Sequence, residues 1–197
     1  MTTTTSPDNR FLTQAVHDLG TALWFGGSVM GIAGVNKSGA DLTSGIDKVR
    51  VASSAWGRFS PAQWGGILAT LGTGLQLTNS NKARLALQEG YGRVGTVKAA
   101  LTVAGAGATA FAAYSGGKIG KLAEQAANSG GGLEVKDATL PSAGTPPEIK
   151  KWQARQRVTQ AAVPALAGAV IVCNAWLVQA YRPASTLKGL LGKVLPG

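Results

Sequence analysis

HDLGTALWFGGSVMGIAGVN, residues 17–36, opens on a titratable pair, His17 and Asp18, and continues for 18 residues without a charge. A helix needs roughly 20 apolar residues to cross a bilayer, so this run is long enough to span one. Ionisable groups at the edge of hydrocarbon are costly and are kept for a reason, which makes the pair a polar corner at the mouth of an apolar helix. His17 is the only histidine of the 197-residue chain.

Three further runs repeat the pattern. Phe59–Asn81, Ala99–Gly117 and Val158–Tyr181 hold 23, 19 and 24 residues, and all 19 Lys and Arg and all 9 Asp and Glu fall outside the four. A soluble amphipathic helix carries charges at helical spacing on its wet face, which these runs lack. A soluble Ala/Gly-rich helical domain is the alternative they permit, since many of their residues are small. Aromatic placement favours the membrane: Trp56, Phe59 and Trp64 lie around the start of the second run, Tyr91 precedes the third, Tyr114 closes it, and Trp176 and Tyr181 close the fourth, as in an interfacial belt. A cleaved signal peptide in the first run, with Arg10 before it and Ser38, Gly39 and Ala40 after it, would need a long h-region and an n-region containing Asp18. The expected fold is all-α: an antiparallel bundle of four transmembrane helices with spans of about 15–36, 59–79, 97–117 and 158–181, within a domain of residues 11–182.

The connections complete this outline. Residues 1–10 read as a flexible polar N-terminus, Gly45–Trp56 as a short interfacial helix, and Pro61 as a first-turn residue of the second span. The third helix continues past the membrane towards Asn128, and residues 126–145, rich in Gly, Ser, Pro and Ala, read as a flexible loop. Thr145-Pro146-Pro147-Glu148 is a helix start, followed by a basic turn with Lys150, Lys151, Arg155 and Arg157. Pro164 is a kink point, and residues 183–197 form an amphipathic or disordered tail. The first and third connections carry the larger share of Lys and Arg. In an inner or plasma membrane this leans towards both termini outside.

A net charge of +10 raises nucleic acid as a partner, yet the basic residues are spread through every connection and form no stripe. Anionic lipid headgroups suit them better, so the bilayer is the expected partner and nucleic acid is not. Cys173 is the single cysteine and reads as a small buried hydrophobe. Gly105–Ala110 lies mid-span with no strand before it and is no dinucleotide loop; Gly116-Gly117-Lys118 lacks the rest of a phosphate loop. No nucleophile and base are arranged for catalysis, so no enzyme is expected.

In lipid, small residues allow close backbone approach and supply much of the packing. Gly27 and Gly31 form a GxxxG step; Ala100, Ala104, Ala108, Ala112 and Gly116 share one face of the third helix, and Ala161, Ala165, Ala169 and Cys173 one face of the fourth. These read as seams of one bundle, with a homo-oligomer or partner-subunit interface as the alternative. In an up-down bundle His17 and Asp18 share a depth with Gln76, Arg93, Lys98 and the Trp176–Tyr181 turn. Asp18 and Lys98 are the expected ion pair of that corner.

His17-x4-Ala22-Leu23-Trp24-x-Gly26-Gly27 resembles the opening helix of the copper resistance D (CopD)-like membrane proteins. Arg58-Phe59-Ser60, Thr73-Gly74-Leu75 and Tyr91-Gly92-Arg93 followed by Lys98 are similar to that family in order and spacing, over roughly residues 15–181. The resemblance implies a four-helix membrane domain and, for the namesake members, movement of copper across the inner membrane. His17 would then contact the metal, with Trp24, Gly26 and Gly27 as its packing support. The chain departs from this in having one His, two Met and one Cys, whereas copper(I) prefers several soft or imidazole ligands. The expected role is a non-enzymatic accessory or transport-associated subunit; a copper or small-solute permease using His17, Asp18 and Asn174, and a haem- or quinone-associated redox subunit, are the alternatives.

Overall fold

The computed structural model describes residues 7–88, 90–130 and 132–179, so Tyr181 and the tail 183–197 lie outside the described residues. Among the described residues the chain is helical, with no strand and one isolated bridge between Val135 and Pro141. Helix α1 (Pro7–Met30) runs through a π-turn, Gly31–Val35, into α2 (Asn36–Ser38) and a 3-10 turn, Gly39–Asp41. Then follow α3 (Gly45–Ser80), α4 (Lys82–Leu87), α5 (Tyr91–Asn128) and α6 (Pro147–Gln179).

Local chemistry sets these boundaries. The Ser44 hydroxyl accepts from the Asp47 amide at the start of α3, and Gly90 takes a positive φ of 75° to turn the chain into α5. Pro147 and Glu148 open α6 with a residue that lacks a donor and an acid beside the positive helix end. The expected interfacial helix Gly45–Trp56 is instead the first part of the 36-residue α3, and Pro61 lies in its interior rather than in a first turn. The donor that Pro61 lacks would have bonded to the carbonyl of Gly57.

Hydrogen bonds and close contacts fix the packing. Along α1 and α2, His17 meets Thr70, Ser28 meets Gln63 and Asn36 meets Trp56, so α3 runs antiparallel to them. Lys98 meets Asn174 and Gly116 lies by Gln156, making α5 and α6 antiparallel, and Asp18 with Asn174 and Asn36 with Gln160 close the ring between α1 and α6. Trp24 crosses the centre to donate to Thr109 of α5 at 3.1 Å, and with Ile67, Val163 and Ala167 it forms the middle of the core.

The backbone contact between α1 and α3 is not at the GxxxG step. A Cβ on Gly20 would stand 2.8 Å from the Gly66 carbonyl oxygen, and one on Gly66 2.7 Å from that of Gly20, so α1 and α3 touch backbone to backbone there. Gly27 and Gly31 instead make room for rings: Cβ atoms on them would fall 1.9 Å from Phe59 and 2.1 Å from Trp56. The two alanine stripes also differ from a buried seam. Ala104 and Ala165 are exposed, Ala108 and Ala169 half-buried, while Thr102, Gly105 and Thr109 of α5 and Val163, Ala167 and Val170 of α6 face inward. Trp24 explains the choice on α5, because its ring occupies the space a Cβ at Gly105 would take.

The described part of the loop 126–145, expected as a flexible linker, packs against the helices. Its first residues complete α5, and Leu133 and Val135 pack with Val49, Ile119, Ala123 and Ile149 in a second core at that end. Asp137 accepts from the amides of Thr139 and Leu140, both at 2.7 Å, and lies 3.7 Å from Lys37; the Thr145 hydroxyl donates to the Glu134 carbonyl. Residues 132–146 thus form a cap. Below it Arg50 grips Glu124 with two bonds of 2.7 Å across α3 and α5; this fork raises the Arg50 pKa and lowers that of Glu124.

Two helices, α5 and α6, are long and apolar enough to cross a membrane by length and composition. Helices α1 and α3 do not meet that standard, although four spans were expected. The π-turn divides the first apolar run, and Gly and Thr dilute the second.

Candidate functional site

His17 lies one turn from the Gly20–Gly66 crossing and is 1 % exposed. Its Nδ1 is 3.0 Å from the Thr70 carbonyl oxygen and 3.1 Å from Thr73 Oγ1. A carbonyl only accepts, so Nδ1 carries the proton of that bond. Thr73 Oγ1 donates onward to the Ala69 carbonyl, and Thr21 and Thr70 likewise bond back to His17 and Gly66 one turn earlier. The other ring nitrogen, Nε2, is buried without a partner.

The expected ion pair between Asp18 and Lys98 is absent as a direct contact, and Asn174 of α6 stands between them. Lys98 Nζ donates to Asn174 Oδ1 at 2.5 Å, and Asn174 Nδ2 donates to Asp18 Oδ1 at 2.5 Å. Gln14 adds a 2.9 Å bond to the same carboxylate oxygen. The amide thus turns its oxygen to the cation and its N–H to the anion, which satisfies a buried ammonium through a neutral group while the carboxylate stays exposed. Arg93, expected in this corner, is exposed and does not line it. His17, Lys98 and Asn174 line one cavity of about 170 Å³ with Thr70, Thr102 and Tyr91. An imidazole and a cationic side chain therefore line a common space.

The copper implied for His17 does not fit these donors. Nδ1 is engaged by oxygens, and among the described residues no three His, Cys, Asp or Glu side chains come together. Copper(I) prefers several soft or imidazole ligands. Gly26 also gives His17 no packing support, as it is exposed with open space around it.

A second polar group at the capped end went unread in the sequence. Past the π-turn, Asn36 accepts from Trp56 Nε1 at 3.0 Å and donates to Gln160 Oε1 at 2.8 Å; Gln63 donates to Ser28 at 3.1 Å. Gln153, Gln156 and Gln160 share the buried face of α6, and Gln153 donates to the cap carbonyls of Asp137 and Ala138. Their spacing of three and four residues was the available signal. No family model matches the chain, and neither a curated protein nor a solved structure matches it.

Proposed function

We propose that the chain is a multi-pass integral membrane protein whose helices α1, α3, α5 and α6 all cross the bilayer, and that it serves as a non-enzymatic, transport-associated subunit of a larger membrane assembly, of the CopD-like kind. The observation that carries this reading is inverted polarity. Phe11, Leu19, Met30, Leu68, Leu75, Val103 and Val172 stand 64–72 % exposed on the outer faces of four helices, while His17, Thr70, Lys98, Gln156 and Asn174 are buried. Only 17 % and 22 % of the apolar stretches of α5 and α6 is buried, the reverse of a soluble core helix. Lipid is the solvent that makes such a surface favourable. The outward alanines of α5 and α6 offer smooth faces to a partner helix and support the subunit reading.

The membrane part is tested by single cysteines in a Cys173→Ser background, probed with an impermeant maleimide in sealed vesicles. Cysteines at Asn9 and Lys82 are expected to label from one side and ones at Ala40 and Lys136 from the other, with Asn9 outside. Labelling of Ala40 from the same side as Asn9 and Lys82 would sink the four-span topology. The subunit part is tested by mild-detergent purification from native membranes, where recovery of this chain alone would count against it.

A further inference from the structure

We infer that the cleft under the cap binds a neutral amphipathic molecule, one carrying hydroxyl or carbonyl groups on an apolar body. The cleft measures about 410 Å³ and is walled by α1 and its π-turn, α3, α5 and α6, with Ala138 and Thr139 of the cap over it. That volume falls in the range of about 300–1,000 Å³ typical of small-molecule sites. It is more than a packing defect between four helices.

The lining selects the chemistry. Among the described residues no Lys, Arg, His, Asp or Glu lines the cleft, so an ion inside it would be desolvated with no counter-charge from them. Its polar side chains are neutral amides and hydroxyls; Ile32, Val49, Trp56, Ile119 and Val163 supply apolar wall. The Asn36 amide is engaged by Trp56 and Gln160 and serves to orient them. Gln156 is different. It is 6 % exposed, it lines the cleft, and its Oε1 is buried with no partner. A side-chain amide serves a ligand hydroxyl through its oxygen or, turned over, a ligand carbonyl through its N–H groups.

The cleft also has a doorway. Ser53 and Gly57 of α3 and Gly117 of α5 are exposed at its margin, and a Cβ on either glycine would meet nothing within 4 Å. Entry from surrounding lipid through this gap rests on the membrane reading above; the cleft and its uncharged lining do not.

Equilibrium dialysis of the purified full chain in detergent micelles tests the proposal, with radiolabelled menadione, 1-oleoylglycerol and, as the charged counterpart, oleate. One neutral probe is expected to bind saturably at one equivalent, with oleate at least tenfold weaker; which one saturates separates a quinone-type ring from an acylglycerol head. Gln156→Leu is expected to weaken that probe at least tenfold, and Gly57→Phe, which fills the doorway, to abolish binding with the melting temperature kept. Should Gln156→Leu fail to fold, Gly57→Phe carries the test alone. No saturation by either neutral probe, equal binding of oleate, or unchanged binding in Gly57→Phe would overturn the inference. Because these measurements need no bilayer, their failure is distinct from failure of the topology test.

Discussion

Asn174 shows how one neutral residue can hold a buried cation. Removing the amide leaves Lys98 nine-tenths buried with its hydrogen bond to Asn174 lost, and a bond to a charged group is worth about 1.5–3 kcal/mol. Asn174→Leu is therefore expected to destabilise the protein by about that amount in detergent melts. Replacing the charge itself is gentler, since buried charges exchanged for apolar residues of similar volume are often tolerated or stabilising. Lys98→Met is expected to melt near or above the unsubstituted protein if Lys98 is structural. Gly66 is the steric counterpart. Gly66→Ala drives a methyl into the Gly20 carbonyl and is expected to cost about 1–3 kcal/mol, whereas Gly65→Ala, with open space around it, gains up to about 1 kcal/mol of helix propensity.

At the scale of elements, the cap is the part whose order is least expected from its composition. It is rich in Gly, Ser and Pro, yet Asp137 organises it through three hydrogen bonds and Leu133 and Val135 anchor it to α3, α5 and α6. Asp137→Ala is expected to cost about 1–3 kcal/mol and to speed proteolysis within 132–146, readable by mass spectrometry of limited digests. The Arg50–Glu124 fork ties α3 to α5 below it. Arg50 holds Glu124 below the usual carboxylate range, so this contribution is present above the unfolded-state value and is lost as pH falls through the lowered one. Both groups are exposed, and salt screens them. The melting difference between the unsubstituted protein and Glu124→Gln is expected to be present at neutral pH and low salt and to vanish in acid or at 1 M salt.

For the whole molecule, the polarity pattern sets the behaviour: a chain with this much apolar surface outward is expected to stay in the membrane pellet after alkaline carbonate washing and to require detergent for release. The helical character, the extension of α5 to Asn128 and the start of α6 at Pro147 were legible, because charge spacing, proline and helix-start chemistry are local properties of the chain. His17, Asp18 and Lys98 could be read as one corner because helix alternation brings their ends together. Which stripe of each helix turns inward was not legible. Ala104 and Ala165 are as small as the residues that pack inside; the bulk of Trp24 against Gly105 orients α5, the contact of Gly20 with Gly66 orients α1 and α3, and the bonds of Gln160 and Asn174 orient α6. The amide between Asp18 and Lys98 comes from α6, more than seventy residues from either partner. The sequence by itself thus determined the helices and the charge-free runs, since these depend on near neighbours. The tertiary structure alone decided the helix faces, the cap and both cavities, since these depend on shapes that meet only after the helices have packed.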